Sequence, residues 1–103
     1  MLEQEFGYRR EVKRVPCALS GSYVSADGLC HHIDYKDISN KGVGIAIATP
    51  LPVDSFVTIE IDTKRMLPLL VEGRVCWCNK TSDKWRAGII FDRPLPFELK
   101  MIM

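Results

Sequence analysis

The chain has 103 residues, enough for one domain with one modest core. Hydrophobic residues make up 47%, charged residues 26%, and the formal net charge is +1. That composition excludes a disordered polyelectrolyte and leaves no global field to gather long nucleic acid. No apolar run is long enough for a membrane span, and the opening MLEQEFGYRREVKR has no apolar signal region. The expectation is a cytoplasmic protein whose 4 cysteines stay reduced.

Residues 1–15 are polar. Within them YRREVKR, at 8–14, sets four cations against one acid. Val15 stands before Pro16, which favours extended backbone. A flexible basic arm over 1–15 and a folded domain over 16–103 are expected. From Pro16 onward the pattern has period two. Cys17, Leu19, Gly21 and Tyr23 share one face, and ADG at 26–28 is a turn. Ile33 and Tyr35 share the next inner face, then Val43, Ile45 and Ile47, with small residues opposite the last three. PLP at 50–52 interrupts. Val57, Ile59 and Ile61 then alternate with Thr58, Glu60 and Asp62, and Val71, Gly73, Val75 and Trp77 alternate with Glu72, Arg74 and Cys76. NKTSD turns the chain into Trp85, Ala87, Ile89 and Phe91. RPLP stops that strand, and FELKMIM reads as one or two turns of amphipathic helix. About six short strands with turns between them predict an all-β antiparallel barrel or sandwich.

Two clusters carry chemistry. Arg10 and Arg14 are spaced R-x-x-x-R, with Arg9 just before them. A guanidinium offers a planar fork of donors that fits phosphate or the O6/N7 edge of guanine, although a solvated basic tail has the same composition. Asp37, Ser39 and Gly42 form D-x-S-x-x-G. On an extended chain Asp37 and Ser39 point to one side. A carboxylate accepts the paired N1 and N2 donors of guanine, a hydroxyl donates to phosphate or a ring nitrogen, and a glycine allows positive φ and close approach. An ordinary Asx or Ser turn between strands is the plainer reading.

Other residues are less telling. Trp77 and Trp85 could stack on a base, but Trp77 shares the side of Val71 and Val75, which favours the core. Cys76 and Cys78, and the group Cys30, His31, His32, lack the C-x-x-C spacing of a zinc knuckle. Adjacent histidines on a strand point to opposite faces, so no metal and no cofactor is expected. There is no P-loop, no G-x-G-x-x-G and no acid pair beside a histidine, so nothing supports an enzyme.

Taken together, RREVKR at 9–14 and DISNKG at 37–42 resemble the motifs of the PilZ domain, the bacterial receptor for cyclic di-GMP. GRVCWC and RAGIIFD are similar to that family's late barrel strands, and the likeness runs from about Tyr8 to Asp92. The resemblance implies a six-stranded antiparallel split barrel with a short C-terminal helix. It implies that Arg10 and Arg14 grip guanine and phosphate, with Asp37, Ser39 and Gly42 as the opposing wall. Arg9 would accompany an intercalated pair of ligand molecules. The expected function is a cyclic di-GMP-binding effector whose arm orders on binding and which signals to a separate, unidentified downstream protein. Two other readings stay open: a small barrel binding single-stranded nucleic acid, and a PilZ-type adaptor that works without nucleotide. Edge strands and the apolar MIM terminus leave both a homodimer and internal packing open.

Overall fold

The computed structural model describes residues 14–64, 67–96 and 98–103. Seven strands appear in chain order: β1 (Val15–Pro16), β2 (Ser20–Val24), β3 (Cys30–Ile38), β4 (Gly42–Ile47), β5 (Phe56–Asp62), β6 (Leu69–Lys80) and β7 (Trp85–Phe91). All pairings are antiparallel, in the order β1-β3-β2-β5-β6-β7-β4, and β3 also pairs with β4. That last pairing closes β2 to β7 into the expected six-stranded barrel. The two-residue β1 is an addition, lying on β3 with Val15 opposite Ile38 and Pro16 opposite Asp37.

Alternation explains the closure. Along the strands alternate branched residues face inward, so Ile33, Ile45, Ile59, Ile61, Val75 and Ile89 are buried in one core. Burying each such side chain contributes about 1.5–3 kcal/mol. Tyr35 is the polar exception, and its hydroxyl donates to the Glu60 carbonyl at 2.8 Å. Burial pushes its pKa well above the ordinary phenol range, so it remains a donor. The β2–β3 hairpin turns at Gly28, whose φ of 88° favours glycine.

Two pairings slip register. One irregularity lies between Tyr35 and Asp37, the other between Val75 and Trp77. A bulge inserts one residue and inverts the alternation beyond it. The second bulge corrects the expectation for Trp77. Val75 pairs with Ile89, but Trp77 pairs with Gly88 and Cys78 with Ala87. Cys78 therefore returns to the core and Trp77 does not.

The C-terminal segment is expected to hold one or two helical turns. Its described helical part is a single 3₁₀ turn, Leu99–Met101. Met101 and Ile102 donate to the carbonyls three residues back, and Ile102 is buried, so one tight turn suffices to seat it. Upstream, the Leu95 amide donates to the Asn40 carbonyl at 2.8 Å, tying this segment to the β3–β4 turn.

Candidate functional site

The bulge before Asp37 aims its carboxylate outward while Tyr35 and Ile38 stay inside. Register then lines up four residues across four strands: Asp37 on β3, Gly44 on β4, Gly88 on β7 and Trp77 on β6. The middle two have no side chain, and both ends lean over them. A Cβ on Gly44 would lie 2.9 Å from both Asp37 carboxylate oxygens. One on Gly88 would lie 2.2 Å from Trp77 Nε1. The row is thus a low platform that brings a carboxylate and a half-exposed indole to one outer surface.

Arg14 joins it from the chain entering β1. Its Nη1 donates to Asp37 Oδ1 at 2.8 Å, across a sequence separation of 23. Their side chains are 48% and 28% exposed. The charge of Arg14 also reaches Cys76 at the second bulge. Burial pushes that thiol's pKa up, and Arg14 and Arg74 oppose the shift. Arg9 and Arg10 lie outside the described residues.

Ser39 and Gly42 form the turn that is the plainer reading of their spacing. Ser39 is 1% exposed, and its Oγ accepts from the amides of Lys41 and Gly42, each at 3.1 Å. Its own amide donates to the Gly42 carbonyl at 2.9 Å. The hydroxyl closes the turn after Asp37, and the two side chains do not share a side. Gly42 is not among the residues with positive φ. Its need is room, since a Cβ there would sit 2.5 Å from the Ile89 carbonyl oxygen. Gly44 belongs to the platform.

One cation was missed. Arg86 stands one row along, between Ala46 and Asn79, and its Nε donates to the Ile45 carbonyl at 3.2 Å. That bond holds the guanidinium against β4, beside the small residues. The available signal was W-R-A-G, which sets a cation on the opposite face from Ala87 and two residues before a glycine. Nearby, Asp34 accepts from His32 at 2.8 Å and Lys84 at 3.3 Å. The His32 bond, then Lys84, holds its carboxyl below the usual range. His31 is placed differently, stacked on Tyr23 at 4.8 Å and bonded to Ser25.

No curated protein matches the chain. Among solved structures, the PilZ domain with c-di-GMP of YcgR from Escherichia coli is similar, with a TM-score of 0.73 at 15% identity. The match covers 91% of this chain and 86% of that one, which shows a common fold. The PilZ domain family model matches residues 8–102. With nearly its whole length inside that match and the barrel closed as described, the chain belongs to the PilZ domain family.

Proposed function

We propose that the platform binds cyclic di-GMP and that the protein is a receptor, not a catalyst. The observation that carries the reading is the meeting of Arg14 and Asp37 at 2.8 Å beside a glycine-floored row. The carboxylate suits the N1 and N2 donors of guanine. The guanidinium suits phosphate or the guanine O6/N7 edge. Trp77 offers a stacking face, and Arg86 a second phosphate partner from the barrel wall. Ser39 and Gly42 serve by holding the turn that positions Asp37. Family membership and the ligand named for the YcgR domain support the choice of nucleotide.

In this reading Arg9 and Arg10 close over the ligand, Arg9 pairing two ligand molecules. The ordered arm and barrel rim then form a surface for a downstream protein, since a ligand signals only by favouring one state over another. Calorimetric titration with cyclic di-GMP tests it. Saturable binding near two ligands per chain is expected, falling toward one in Arg9→Ala. A folded sample that gives no binding overturns the proposal. A steep salt dependence of oligonucleotide binding would favour single-stranded nucleic acid instead.

A further inference from the structure

We propose that the cleft between β2 and β5 receives an extended, basic segment of a partner protein as an added strand. The β2–β5 pairing runs from Ser20 opposite Asp62 to Tyr23 opposite Ile59 and stops there. Both strands continue. Val24 still pairs with Cys30 on β3, and Phe56, Val57 and Thr58 still pair with β6. Among the described residues no backbone hydrogen bond joins 24–27 to 56–58.

Each edge is held by its own side. The hairpin end is tied by Ser25 N–H to the Leu29 carbonyl at 2.9 Å and by the Ser25 hydroxyl to Asp27 and His31. The start of β5 is tied to β6 by Val75 N–H to the Ser55 carbonyl at 3.0 Å. The result is a cleft of about 790 Å³ lined by the ends of both strands and by residues 49–52 of the β4–β5 connection, which is held to the β2 side where Tyr23 Oη meets Thr49 Oγ1 at 3.4 Å. An uncovered edge is a template for another strand.

The walls state what kind of strand fits. Phe56 is 77% exposed and Val24 61%, so alternate side chains of an occupant meet apolar surface. Asp27, Glu72 and Asp92 also line the cleft, and among the described residues no lysine or arginine does. Asp27 is kept ionised by bonds from Ser25 and the Leu29 amide, which lower its pKa. Charge complementarity therefore selects a segment of alternating apolar and basic residues. Asp37, Gly44, Gly88, Trp77, Arg14 and Arg86 are not part of this lining, so the surface is separate from the platform.

The test is amide NMR on the isotope-labelled full chain. The probe is a capped synthetic peptide alternating lysine and valine, compared with its glutamate twin and a twin whose valines are N-methylated. Saturating shifts at 24–27 and 56–58 are expected with the lysine peptide. The glutamate and N-methyl twins should bind at least about tenfold more weakly, a difference of about 1.4 kcal/mol. Phe56→Ser and the pair Asp27→Lys with Glu72→Lys should weaken binding by a similar factor while leaving cyclic di-GMP titration unchanged. No shift, shifts mapped to the platform, or equal response to all three peptides overturns the proposal. Concentration-dependent shifts at the same amides without peptide assign the cleft to a second copy of the chain and also overturn it.

Discussion

On the β3–β4–β7–β6 side every strand keeps its neighbour, and the surface is lowered by omitting side chains at Gly44 and Gly88. On the β2–β5 side large side chains such as Phe56 remain, and the surface is opened by ending the pairing at Tyr23 and Ile59. A compact anion needs charges fixed on backbone that already has its hydrogen bonds. A chain-shaped partner needs backbone groups that do not. One barrel supplies both by opposite departures from a regular sheet, and damage to one should spare the other.

The largest effect is expected at the ion pair. Arg14→Ala or Asp37→Ala should each weaken cyclic di-GMP binding about 10–100-fold, the value of one or two charge-assisted hydrogen bonds. Lysine-peptide binding at the cleft should not change. Calorimetry on both ligands reads this, and wild-type nucleotide affinity in both variants would show that the platform is misassigned.

Next comes Gly88→Ala, whose methyl would fall 2.2 Å from the indole nitrogen. Overpacking of that kind costs about 1–3 kcal/mol. Weaker nucleotide binding and altered tryptophan fluorescence should accompany a lower melting temperature. Unchanged fluorescence would mean that Trp77 does not lie on Gly88. Ser39→Ala leaves two turn amides without their acceptor and should cost about 1–3 kcal/mol in denaturant unfolding. It should reduce nucleotide binding only as far as it moves Asp37.

The smallest effect is in pH. Asp34 has a folded pKa below its ordinary 3.8. It therefore binds fewer protons folded than unfolded, and its contribution is complete above the unfolded carboxylate pKa. That contribution is lost as pH falls through the folded value. The group is a third exposed, so the loss is small. Comparing Asp34→Asn with wild type by thermal unfolding from pH 6 down to pH 2 should show the gap close with acid.

Much of the barrel is readable from alternation alone, because an inward Ile or Val every second residue leaves a strand one way to face the core. Arg14 and Asp37 were legible as halves of two motifs, though not as a contact pair. Trp77 was misplaced because one bulged residue inverts the phase and nothing local in VCWC marks the slip. Ser39 was legible as a turn residue, because a hydroxyl two and three residues before Lys41 and Gly42 can accept from their amides. The parting of β2 from β5 has no local signature, since it depends on each strand's attachment to a third.

The Arg14–Asp37 contact has a consequence for ionic strength. These two charges act as each other's counterion, at a cost of separation that exposed pairs put below about 1 kcal/mol. Added salt weakens that pairing along with any anion held by Arg14, so the two screening effects partly cancel. The logarithmic salt slope of cyclic di-GMP affinity should therefore be shallower than the number of phosphates contacted suggests, and Asp37→Asn should steepen it.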